Sequence, residues 1–133
     1  MSMKAKKNVL IITDESSKTA EMAVGIAEAL KGNKVSIKGI SDFKGNDILP
    51  ADAFFLGCEK PKPDSFAYIE DLFSHINLAG RPCGVFSPGG KASVKYLAGL
   101  VRDSEAALNP NPLLDSTKKA VKDWSQSVIT KSF

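Results

Sequence analysis

Histidine occurs once in this sequence, at His75, and cysteine twice, at Cys58 and Cys83. One histidine cannot supply a zinc cluster, and the cysteines lack the CxxC spacing of a redox pair or zinc knuckle, so neither a metal centre nor a disulfide framework is expected. Ser-His-Asp or Cys-His catalysis would have to pass through His75. That residue falls in a segment with Phe66, Ile69, Leu72, Phe73 and Ile76 at helical spacing, where a solvated helix position is expected instead. Long hydrophobic runs are missing too. The start carries Lys4, Lys6 and Lys7, but the apolar stretch after it runs only from Val9 to Ile12, too short for a signal h-region or a membrane span. A cytoplasmic location without a membrane partner is the expectation.

Charge of one sign is scarce as well. The 18 basic and 15 acidic residues leave +3, spread along the chain rather than gathered into a block, which argues against a nucleic-acid partner. What is present is enough apolar material for a core: 133 residues, 43% hydrophobic, with a mean hydropathy of −0.10. No repeat, low-complexity tract or linker divides them, so residues 1–133 read as a single domain.

Residues 8–13 (NVLIIT) form a continuous β-branched and apolar run, the pattern of a strand covered on both faces. After the polar stretch 14–19, Ala20, Ala23, Val24, Ala27 and Leu30 recur at helical spacing, with Gly32 where a helix stop belongs. Alternation along 34–38 (KVSIK) predicts a half-exposed edge strand, and the breakers Gly39, Gly45, Asn46, Asp47 and Pro50 predict a loop with at most one helical turn. A third strand is predicted at 51–57, then a proline-rich stretch at 58–63 and a helix from Asp64 or Ser65. The fourth, 82–87, leads through 88–91 (PGGK) into a helix with Val94, Leu97, Ala98 and Val101 on one face. A short fifth strand is predicted at 112–115 (PLLD), before a last helix from Ser116 with Ala120, Val121, Trp124 and Val128 on one side. Strict alternation through short connections implies right-handed crossovers, hence an α/β three-layer fold: an open parallel sheet with helices on both faces.

In such a sheet the ligand crevice lies beyond the carboxyl ends of the strands. Three loops reach it: residues 13–19, 57–64 and 87–93. The first enters a helix N-terminus, where free N–H groups and the helix dipole favour an anion; Thr13, Ser16, Ser17 and Thr19 add hydroxyl donors and Lys18 a positive charge. Asp14 and Glu15 oppose a phosphate unless they turn outward, and Ser16 or Ser17 as a simple helix cap is the plain alternative. Gly89-Gly90-Lys91 permits close backbone approach to a ligand, or is a tight turn. It is no P-loop, since Val85 stands where a glycine and Ala92 where a hydroxyl would be needed. Nor is there the acidic residue of a receiver domain after the third strand, or a Cys-x5-Arg loop after the first. Both cysteines read as small buried packing residues, with Cys58 at a strand end facing the crevice.

These residues resemble the flavodoxin family. The strand at 9–12 (VLII), the loop 13–19 (TDESSKT) and the helix start 20–23 (AEMA) are similar to the family's strand, Thr-x-Thr-Gly-x-Thr loop and Met-Ala type helix start, and FLGC at 55–58, GVF at 84–86, Gly99 and Trp124 follow in the family's order. The resemblance implies five parallel strands in the order 2-1-3-4-5 and an FMN-binding electron carrier that meets a redox partner protein and uses no catalytic side chain. Thr13, Glu15, Ser16, Ser17, Lys18 and Thr19 would hold the phosphate. Gly57, Cys58 and Glu59, with Ser87, Pro88, Gly89 and Gly90, would border the flavin ring.

The chain departs from the pattern where function is concerned. Ser17 replaces the phosphate-loop glycine, and the second Thr becomes Glu15 or Ser16. No aromatic residue precedes Phe66 in the second loop; Val94 stands nearest the usual stacking tyrosine, with Tyr96 two residues on and turned away by the helix. The acidic surface with which flavodoxins dock on basic partners is absent at +3. A flavin-free module of the same fold, binding a partner or another phosphate-bearing small ligand, is the alternative these departures favour.

Overall fold

The computed structural model describes residues 7–133; the basic start at 1–6 lies outside the described residues. β-Branched side chains favour extended backbone, and the first run forms β1 (Asn8–Thr13), buried from its second residue onward. It is followed by α1 (Ser17–Ala29), β2 (Lys34–Gly39), β3 (Ala53–Gly57), α2 (Ala67–His75), β4 (Pro82–Phe86), α3 (Lys91–Asp103), β5 (Ala107–Leu108) and α4 (Lys118–Ile129). All pairings are parallel, in the order β2-β1-β3-β4-β5. β2 is the half-exposed edge, with Ile37 among its solvent-facing residues.

Alternation along the central strands divides the core between the two sheet faces. Leu10, Ile12, Phe54, Leu56 and Val85 pack with Phe73 of α2 and Leu97 and Val101 of α3. Val9, Ile11, Phe55 and Phe86 pack with Ile26 of α1 and with Val121, Trp124 and Val128 of α4. No helix of the described residues is long and apolar enough to cross a membrane, and no group of three His, Cys, Asp or Glu among them is placed to hold a metal.

The fifth strand is not at 112–115. Proline has no N–H to give to a ladder, and Pro110 and Pro112 interrupt the chain just where the strand was expected. Ala107 and Asn109 take the ladder positions instead, donating to the carbonyls of Arg81 and Cys83 at 2.8 and 2.9 Å. Leu113 regains only one isolated bridge to Phe86. The last helix starts at Lys118 rather than Ser116, because Asp115 Oδ1 accepts from the Thr117 amide and holds a turn there. A 3-10 turn at Asp64–Phe66 precedes α2, and another at Gly45–Asp47 is the single helical turn expected after β2. Register sets Thr13 beside Gly57 and Gly57 beside Phe86, so the three loops leave the sheet side by side.

Candidate functional site

Loop 13–19 is tied down by carboxylates. The Asp14 amide donates to the Gly57 carbonyl at 3.2 Å. The Asp14 carboxylate accepts from the Ser16 amide at 3.1 Å and, across the crevice, from the Glu59 amide at 2.8 Å. Glu15 points the other way: its Oε1 accepts from the Ser41 amide at 3.2 Å, beyond the end of β2. Ser16 is the cap of α1, accepting from the Thr19 amide at 3.5 Å and donating its hydroxyl to Glu59 Oε1 at 2.5 Å. Ser17 and Lys18 are exposed on the first turn of α1. Thr13 and Thr19 are buried, and Thr19 Oγ1 meets no hydrogen-bond partner among the described residues.

The two later loops close on each other. A Cβ at Gly89 would lie 1.8 Å from the Glu59 carbonyl oxygen, so only glycine allows this approach. The same carbonyl accepts from Ser93 Oγ at 2.7 Å and Ser87 Oγ at 3.5 Å, while Ser87 Oγ also accepts from the Gly89 amide at 2.9 Å. Gly90 turns the chain into α3 at φ 124°, and half-buried Pro88 borders a groove of about 490 Å³ between α1 and α4 that Lys18 also lines. Gly57 is buried against the Phe86 ring. Asp14 and Ser93 hold the site together, and the sequence pattern marks neither as a ligand residue. Ser93 has one retrospective signal: a hydroxyl beside Val94 at the start of an amphipathic helix, on its buried side.

Cys58 is buried, and its thiol is pushed up to about 12 by burial and then by the Asp14 charge, so it stays protonated and unreactive at neutral pH. Burial raises Cys83 as well. His75 is solvated, its side chain 74% exposed beside Asp71. Tyr96 does turn away: its hydroxyl donates to Glu70 Oε2 at 2.6 Å, and burial together with that carboxylate raises its pKa.

FMN needs anion donors for its phosphate and a slot for its flat ring. Here Asp14 and Glu59 already hold the Ser16 and Glu59 donors, Gly89 rests on Glu59 where the two ring-bordering loops face each other, and neither loop presents an aromatic face. These contacts leave FMN fewer free donors for its phosphate and no aromatic face for its ring.

No family profile matches the sequence, and no curated protein is similar to it. Solved structures are similar in shape. A short-chain flavodoxin associated with a non-canonical PDU bacterial microcompartment superposes with a TM-score of 0.82 at 13% identity, covering 96% of this chain and 99% of that one. Flavodoxin 2 from Bacillus cereus gives 0.78 at 18% identity over 97% of this chain and 100% of its own, and the flavodoxin of Streptococcus pneumonia TIGR4 gives 0.75 at 16% over 95% and 99%. The five-stranded order, the four flanking helices and these superpositions together make the chain flavodoxin-like in fold.

Proposed function

We propose that this chain is a flavin-free binding module of flavodoxin-like fold, its crevice held shut by its own residues. Glu59 carries the proposal: its amide binds Asp14, its carboxylate binds Ser16, and its carbonyl takes Ser93 and lies against Gly89. Magnitudes favour exclusion of a phosphate. The positive end of a helix is worth about 0.3–1 kcal/mol to an anion. One carboxylate at contact distance opposes a second negative charge by about 4 kcal/mol at an effective dielectric near 20. That repulsion exceeds the dipole term even if solvent halves it.

A second function, the cytoplasmic FMN electron carrier working with a redox partner, is favoured by one observation: the buried Thr19 hydroxyl without a partner at the head of α1. If it holds, Thr19→Ala with Ser16→Ala weakens FMN more than riboflavin, since only FMN carries the phosphate; equal weakening would count against that placement. Heat-denaturing freshly purified protein separates the two functions. A supernatant without flavin fluorescence supports the closed module, and FMN released in amounts equal to the chain supports the carrier.

A further inference from the structure

A second groove, of about 520 Å³, runs along α3. Lys91, Lys95 and Arg102 line one wall, four and seven residues apart, spacings that set them along one side of the helix. Among the described residues no acidic side chain lines the groove and the one ion pair is His75 with Asp71, so none of these three cations is directly paired with a described carboxylate. Exposed Leu114 and half-buried Ala98 and Leu108 contribute apolar surface between the walls, over buried Val85 and Val94.

The opposite wall is the interruption that displaced β5. Pro110 and Pro112 fix their backbone, and Asn109 is buried, accepting from the Asn111 amide at 2.9 Å and donating to Ser127 Oγ at 3.4 Å. A wall already rigid loses little freedom when something binds against it.

We propose that this groove binds an acidic, extended peptide segment of a partner protein. From Lys91 to Arg102 the helix rises about 16 Å at 1.5 Å per residue, too long for one phosphate to bridge the three cations. A strand of about five residues covers the same length at about 3.3 Å each, with alternate side chains about 6.6 Å apart, close to the rise between Lys91 and Lys95. Carboxylates on one side of such a segment meet the cations while its alternate residues rest on the apolar floor. Single-stranded nucleic acid fits less well, because no aromatic side chain lines the groove to stack a base. Lys91 is the one lining residue that also belongs to a crevice loop, and the variants below leave it untouched, so the groove's occupancy and the flavin question are decided by separate measurements.

The test is fluorescence polarisation with a labelled hexapeptide alternating aspartate and leucine, beside its asparagine counterpart and a labelled oligothymidylate. The aspartate peptide is expected to bind saturably, and K95E with R102E to weaken it about tenfold, the sum of a few exposed ion pairs. Raising salt from about 50 to about 500 mM weakens it further. The charge-neutral pair K95Q with R102Q gives the same direction, and its circular dichroism melt confirms folding should the glutamate variant be unstable. No binding at about 1 mM peptide, binding unchanged in both variants, equal binding of the asparagine peptide, or oligothymidylate binding as tight as the peptide would overturn the proposal.

Discussion

Gly89 and Glu59 meet backbone to backbone across the mouth of the crevice, with the position of a residue-89 Cβ only 1.8 Å from the Glu59 carbonyl oxygen. That contact joins two loops that leave neighbouring strands. Gly89→Ala must push the loops apart, at a cost of about 1–3 kcal/mol typical of overpacking. Urea unfolding should show a lower midpoint at unchanged slope; wild-type stability in this variant would mean that the loops are already separate in solution.

Ser16 and Glu59 form the second tie. Ser16→Ala removes both the helix cap and the donor to Glu59, for about 1–2 kcal/mol. Combined with Glu59→Ala in a double-mutant cycle, the pair should show a coupling of about 0.5–1.5 kcal/mol. Strict additivity would mean that Ser16 is a cap and nothing more.

Cys58 gives the fold an alkaline limit. Its thiol is raised from 9.0 to about 12 in the folded chain. Below pH 9 both states keep the proton and stability is unaffected. Between pH 9 and about 12 the unfolded chain releases a proton that the folded chain retains, so stability falls as pH rises through that window. Melting temperatures compared at about pH 8 and about pH 10.5 should drop less for Cys58→Ala than for the wild type. An identical drop would show that the thiol titrates normally in the fold.

Gly84 leaves the space that seats Trp124. A Cβ there would stand 2.7 Å from the indole ring and 2.9 Å from Val128 Cγ2, while the indole N–H donates to the Asn111 carbonyl at 2.7 Å. Gly84→Ala should cost about 1–3 kcal/mol and shift the emission of this single tryptophan to longer wavelength as α4 lifts from the sheet. Unchanged emission and unchanged stability together would contradict the packing described.

Periodicity made most of the architecture legible. The apolar run of β1, the alternation in β2 and the one-sided spacing in α1, α3 and α4 report burial directly, because those patterns are what a covered sheet requires. The fifth strand failed because a short apolar stretch, Leu113-Leu114, outweighed the two prolines beside it, which bar a continuous ladder. At the crevice the residue types were legible and their directions were not. Asp14 and Glu15 are adjacent and alike in chemistry, yet one turns in to the Glu59 amide and the other out to Ser41. That choice depends on where β2 and the β3 loop end in space, which local pattern does not carry. The same holds for Glu59, whose three hydrogen-bonding groups meet partners 28 to 45 residues away.

If the chain's own groups fill the crevice, FMN finds no place there. The measurement is a titration of FMN with purified protein up to about 100 μM while flavin fluorescence is followed. The expected result is emission unchanged beyond dilution, in the wild type and at both low and high salt. Saturable quenching that reaches one FMN per chain would contradict it and show that the chain binds FMN.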